Sequence, residues 1–167
     1  VDLSIYLIGQ ITQNPITYEW RKRVREYVAN LPEVLRRKVT IIDPCNNQFS
    51  RKMLEDSMNG VAKDFATNVV SNKQARLFPA IDKAYVKRYS NACMFNANHY
   101  SPETPFLGTI FELAWYHDQN YKPVVGVYNG DVNQDYLCKH PFVQDTVHAW
   151  AENEIQALNY LLSLLHD

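Results

Sequence analysis

Short apolar runs, each cut off by a turn-forming residue and separated from the next by helix-length sequence, limit this chain to a small set of folds. Leu3-Ser4-Ile5-Tyr6-Leu7-Ile8 ends at Gly9, and Lys38 to Asp43 is stopped by Pro44. Cys93-Met94-Phe95 ends at Asn96, and Pro123 to Tyr128 is terminated by Asn129-Gly130. Runs rich in β-branched and aromatic residues with such boundaries read as strands. Val147-His148-Ala149-Trp150 reads as a fifth. Between them, apolar residues recur at helical spacing: Trp20, Val24, Tyr27, Val28 and Leu31 before Pro32; Ile81, Tyr85 and Tyr89; Ile110, Leu113, Ala114 and His117 in a helix from about Gly108 to Gln119; and Ile155, Leu158, Leu161, Leu162 and Leu165 at the close.

A β-α-β order implies parallel strands joined by right-handed crossovers. The expectation is a single α/β domain over residues 1–167, doubly wound in the flavodoxin or Rossmann manner, with a five-stranded parallel sheet and helices on both faces. Ligands of such sheets bind at the carboxyl ends of the strands. That rule gathers Gly9 and Gln10, Asp43, Asn96 with His99 and Tyr100, the start of the helix carrying Glu112, and the Asn129 to Asp131 turn. Between Cys45 and Phe78 the pattern is weak. Ser50 caps a short helix through Met53 and Leu54 in this reading, and so long a connection is expected to cover substrate or contact another subunit.

Composition removes several function classes. With 46% hydrophobic residues the chain can bury one sizeable core. Its 17 basic and 18 acidic residues leave a net charge of −1, too little to hold a nucleic-acid polymer by counterion release. Arg21, Lys22, Arg23 and Arg25, with Arg36, Arg37 and Lys38 further on, read as a solvated helix face. Cys45, Cys93 and Cys138 lack metal or CxxC spacing, so no metal site is expected and a reduced, cytoplasmic compartment is. The strand-length run Leu3 to Ile8 is too short for a signal segment or a membrane span. Gly9-Gln10-Ile11-Thr12-Gln13-Asn14 is not a G-x-G-x-x-G turn, and a P-loop is absent, so no organic cofactor is expected either.

Chemistry centres on Gly108-Thr109-Ile110-Phe111-Glu112-Leu113-Ala114, which opens a helix after a strand and a loop. Two readings are open. Thr109 and Glu112 have the spacing of a capping box, in which the Glu satisfies a backbone N–H at the helix start. Alternatively, Glu112 projects into the crevice as a reactive carboxylate.

Taken in order, Ile5-Tyr6-Leu7-Ile8-Gly9, Asp43-Pro44, Gly108-Thr109-x-x-Glu112-Leu113-Ala114 and Lys122-Pro123-Val124-Val125 resemble the nucleoside 2-deoxyribosyltransferases. The likeness spans Ile5 to about Val127. It implies a transferase that cleaves the N-glycosidic bond of a 2′-deoxynucleoside and hands the sugar to a free nucleobase. By the resemblance Glu112 is the nucleophile, Tyr6 orients it, and Asp82 handles protons on the base. Tyr85 falls where simple spacing puts that acid, one helical turn from Asp82. Gly9, Gln10, Asp43, Asn96, Phe106, Gly108 and Thr109 are the residues expected to meet substrate, and self-association into a homo-oligomer is implied. Phe106 departs from the pattern, which places an Asp, or in related nucleotide hydrolases a Ser, at that position. The missing Ser favours nucleosides over nucleotides, and Asn96, Asn98 or Glu103 could substitute for the missing Asp. Two other classes fit the same residues: a nucleoside or nucleoside-monophosphate hydrolase, and a non-catalytic nucleotide-binding module.

Overall fold

The computed structural model describes residues 2–12, 14–46, 51, 55, 77–101, 103 and 106–165. Strand β1 (Leu3–Gly9) leads to helix α1 (Ile16–Ala29), a short α2 (Glu33–Arg36), β2 (Val39–Ile42) and a 3₁₀ turn (Pro44–Asn46). Helix α3 (Phe78–Ala84) continues as a π-helical turn (Tyr85–Tyr89) into β3 (Ala92–Asn96). Then come α4 (Leu107–His117), β4 (Val124–Val127), the short α5 (Asp135–Cys138) and α6 (Pro141–Thr146), β5 (Ala149–Ala151) and α7 (Glu154–Leu162).

All pairings are parallel and the strand order is β2-β1-β3-β4-β5, so the expected five-stranded doubly wound α/β sheet is what forms. The direction of winding reverses between β1 and β3. Their carboxyl ends lie level, with Gly9 opposite Asn96, at the point where sheets of this topology take their ligands.

The period of two along a strand divides the core into two layers. Leu3, Ile5 and Leu7 face α1 and α7, where they bury Trp20, Val24, Val28, Ala157, Leu158 and Leu161. Tyr6 and Ile8 face the opposite way, onto the π turn, α4 and α6, and meet Val86, Leu113, Tyr116 and Val143. Each fully buried aliphatic side chain contributes about 1.5–3 kcal/mol, so the alternation fixes both the register and which helix covers which face. The same alternation delivers Tyr6 to the α4 side, where Glu112 lies.

Several boundaries differ from the sequence reading for local reasons. The fifth strand starts at Ala149 because the Val147 N–H still bonds back to Val143 O at 3.0 Å, ending α6. The closing helix stops at Leu162, and the N–H groups of Leu164 and Leu165 bond only three residues back, in the tighter 3₁₀ pattern. Pro32 ends α1 as expected and also stands at the start of α2. The expected helix from Ser50 through Met53 and Leu54 lies outside the described residues. Among the described residues, no helix is long and apolar enough to cross a membrane.

Gly126 in β4 is needed for packing. A Cβ there would meet the Trp150 ring at 2.4 Å and Val147 at 2.9 Å. Gly126→Ala is therefore expected to lose about 1–3 kcal/mol of stability through overpacking, read as a lower urea midpoint at unchanged m-value. An unchanged midpoint would mean that Trp150 repacks freely.

Candidate active site

Strand β1 carries Tyr6 into the layer under α4, and α4 turns Thr109, Glu112, Leu113 and Tyr116 toward the sheet. The Tyr6 hydroxyl donates to Glu112 Oε1 at 2.6 Å in a buried setting. This overturns the capping-box reading. Helix α4 begins at Leu107, with Phe106 at the cap position and no side-chain capping bond, so Thr109 already lies within the helix. Glu112 sits in the second turn and reaches another element instead of its own backbone. The bond to Tyr6 is the hydrogen bond that the Glu112 carboxyl shows among the described residues.

Asp82 on α3 joins this pair. The Glu112 carboxyl is raised from its ordinary 4.5 to about 8, chiefly by burial and then by the negative charge of Asp82, with the Tyr6 hydrogen bond and Arg21 acting against them. Burial likewise raises Asp82 to about 6, against the Tyr6 hydroxyl. Between those values the two carboxyls hold one proton as a coupled pair. The Tyr6 phenol is pushed far above its usual range, chiefly by burial and then by both carboxylates, and so remains a donor. Tyr85, one helical turn on, is exposed, and its ring lies 6.0 Å from that of Tyr89.

Neighbouring elements fix this geometry. The buried Lys122 ammonium donates to Val86 O at 2.6 Å and to Lys87 O at 3.1 Å, holding the π turn that follows Asp82. Ser90 Oγ bonds to the same Val86 carbonyl at 3.1 Å and lies 2.5 Å from the Tyr116 hydroxyl, whose ring is 6.4 Å from that of Tyr6. A π turn frees carbonyls that an α-helix would use internally, and Lys122 and Ser90 supply the missing donors.

On the other face of the same sheet edge lies a charge cluster that sequence reasoning missed. Arg21, read as solvated, is 1% exposed. Its guanidinium donates to Gly9 O at 2.8 Å and Thr17 O at 3.2 Å and lies 3.7 Å from Asp43. Arg25 forms an ion pair with the other Asp43 oxygen, and the Cys45 N–H donates to Asp43 Oδ1 at 2.9 Å. Asp43 is thus buried between two arginines, with Oδ1 hydrogen-bonded and Oδ2 without a hydrogen-bond partner among the described residues. The signal for Arg21 was in the sequence, since Thr17, Trp20, Arg21, Val24 and Val28 share one helix face. Of the remaining basic residues in that set, Lys22, Arg36 and Arg37 are exposed, while Arg23 pairs with Glu154 at 2.6 Å.

The other expected site residues separate into two groups. Gly9 and Asn96 meet at the crevice: a Cβ on Gly9 would lie 3.2 Å from Asn96 O and 3.0 Å from the Trp20 ring. Asn96 Oδ1 accepts from Asn98 N, and its amide nitrogen is buried with no hydrogen-bond partner among the described residues. Gln10 clasps the backbone of Ser101 at both ends of its amide, at 2.6 and 3.0 Å, tying the loop after β3 to β1. Thr109 is buried in α4, and Gly108 is exposed with open space around it. Phe106 turns away, packing edge-on against Tyr100 at 4.7 Å. It lines an apolar cavity of 380 Å³ on the far side of α4, with Ile110, His117, His140 and Phe142, and neither Tyr6, Asp82 nor Glu112 borders that cavity. Among the described residues, no three His, Cys, Asp or Glu converge as metal ligands.

No protein-family model and no curated protein matches this chain. Its chemistry is therefore argued from the geometry of Tyr6, Asp82 and Glu112.

Both carboxyls bind protons more tightly in the folded chain than in the unfolded one, so between about pH 4.5 and pH 8 folding takes up protons and stability falls as pH rises. Glu112→Gln keeps an acceptor for Tyr6 but removes the buried charge. Thermal unfolding from pH 5 to pH 9 is expected to give a flatter profile for the variant and greater stability above about pH 8, on the order of a few kcal/mol. A parallel offset at every pH would show that the Glu112 charge is not what limits stability.

Proposed function

We propose that this protein is a retaining N-glycosyl transferase acting on 2′-deoxyribosides, with Glu112 as nucleophile, Asp82 as proton donor and Tyr6 as the group that aims the nucleophile. The observation that carries this reading is the buried bond from Tyr6 to Glu112 across the β1–α4 interface, with the acid Asp82 close enough for its charge to act on Glu112. A carboxylate whose orientation is fixed by a neighbouring phenol is suited to attack an electrophilic carbon.

The Glu112 oxygen bonds to the anomeric carbon as the carbon–nitrogen bond breaks, and the bonding electrons leave with the base. Asp82 supplies the proton that the departing base takes up. A second base, or water, then attacks the anomeric carbon of the glycosyl-Glu112 ester from the opposite face, which restores the carboxylate and gives overall retention. Asp82 recovers the incoming group's proton.

Before substrate binds, burial favours the shared proton on Glu112, whereas the chemistry requires it on Asp82. Positive charge developing on the sugar ring stabilises ionised Glu112, and a base acceptor beside Asp82 stabilises the protonated acid, so the substrate itself drives the exchange.

Incubating the protein with deoxynucleosides, with and without a free acceptor base, tests the proposal by product analysis. Base exchange with retained configuration is expected, and base release alone would mark a hydrolase. Acid-quenched protein should carry one deoxyribosyl unit on the peptide containing Glu112. Glu112→Ala should lower turnover by roughly 10³-fold or more. Asp82→Asn should lower it by roughly 10²–10⁴-fold, least for bases that leave without protonation. Equal turnover in parent and Glu112→Ala would sink the enzymatic reading.

A further inference from the structure

Helix α4 presents Glu112 to the sheet and a different set of side chains to the 380 Å³ cavity, which Ile110, Leu113, Ala114 and His117 border while α5 and α6 close it from the other side. An apolar cavity of about 150 Å³ holds one benzene ring, so this one has room for a fused-ring system. Small-molecule sites of this size combine apolar walls with a few fixed polar groups. Among the described residues bordering the cavity there is no Lys, Arg, Asp or Glu, so an ionic ligand would lose its hydration without a counter-charge. Aromatic rings stand around the space. His140 stacks on Phe142 at 5.8 Å and meets Tyr136 edge-on at 6.0 Å. Tyr136 is 77% and Phe142 73% exposed, which leaves ring faces for a flat ligand to cover.

Hydrogen bonding fixes the state of the polar group. Thr146 is buried, and its hydroxyl gives its one proton to Phe142 O at 2.7 Å. The Thr146 oxygen therefore accepts from His117 Nδ1, 3.2 Å away. Asp145 Oδ2, 3.6 Å from the same nitrogen, favours the proton there as well. With that proton on Nδ1, neutral His117 offers Nε2 as a lone-pair acceptor, and a ligand that meets it must bring the donor.

We propose that the cavity between α4, α5 and α6 is a second small-molecule site, which takes an uncharged, flat, fused-ring aromatic molecule carrying one N–H or O–H that donates to His117 Nε2. The proposal does not rest on the glycosyl chemistry, since none of Tyr6, Asp82 and Glu112 borders the cavity.

Calorimetric titration of the full chain with indole and with N-methylindole tests it. The two probes differ in the N–H, and the added methyl would by itself strengthen binding to apolar walls. Saturable binding of indole, with N-methylindole about tenfold weaker or more, is expected. Both diagnostic variants alter exposed positions, so the fold is retained. His117→Leu should erase the preference while N-methylindole still binds, and Ala114→Phe, which puts a ring into the cavity, should abolish binding of both probes. No saturable binding of indole, equal or tighter binding of N-methylindole by the parent, a preference that survives His117→Leu, or binding unmoved by Ala114→Phe would each overturn the site. Sedimentation showing that Ala114→Phe dissociates an oligomer to which neither probe binds would overturn it too, because a second copy of the chain would then be what covers the cavity.

Discussion

One hydrogen bond, from a phenol in the first strand to a carboxyl in α4, organises this molecule's polar interior. A carboxyl in so dry a place is tolerated because Tyr6 donates to it and because the pair it forms with Asp82 gives up one proton instead of two. The same bond sets the rotation of α4 about its axis. With Glu112 turned to the sheet, Leu113 and Tyr116 enter the core, and Leu107 and Phe111 are left on the outside. Tyr6 is held in turn by the Tyr116 ring and by the network through Ser90, and the π turn beneath is clamped by Lys122.

Charge is arranged by sheet face. The two carboxyls lie on the side covered by α3 and α4, and the Arg21, Arg25 and Asp43 cluster lies on the α1 side of the same carboxyl edge. Arg21 acts across the edge, since its charge partly offsets the rise in the Glu112 pKa.

How much of this could be read from the chain depends on whether the signal was local. Strands β1 to β4 were legible because their apolar runs end at Gly, Pro or Asn. The helices were legible because their apolar faces repeat at helical spacing. Glu112 was legible only as a choice between capping and chemistry, since Thr109-x-x-Glu112 fits both. Arg21 was misassigned because it stands among Lys22, Arg23 and Arg25, and a run of charge hid the one member that falls on the face of Trp20 and Val24. Asp43 was expected to meet substrate, and its ion pairs to Arg21 and Arg25 were not legible because those partners come from another element. Phe106 was expected at the substrate and packs toward the opposite side of α4.

The order of elements, the two periodicities and the residue types able to carry chemistry were determined by the sequence alone, because spacing along the chain decides which side chains share a face. The partner of each polar group was decided only by the tertiary structure. Tyr6 and Glu112 are 106 residues apart, and nothing within either segment specifies that they touch. Burial then raised the pKa of both carboxyls. Desolvation and Coulomb interaction depend on distance through space, which a linear pattern does not contain.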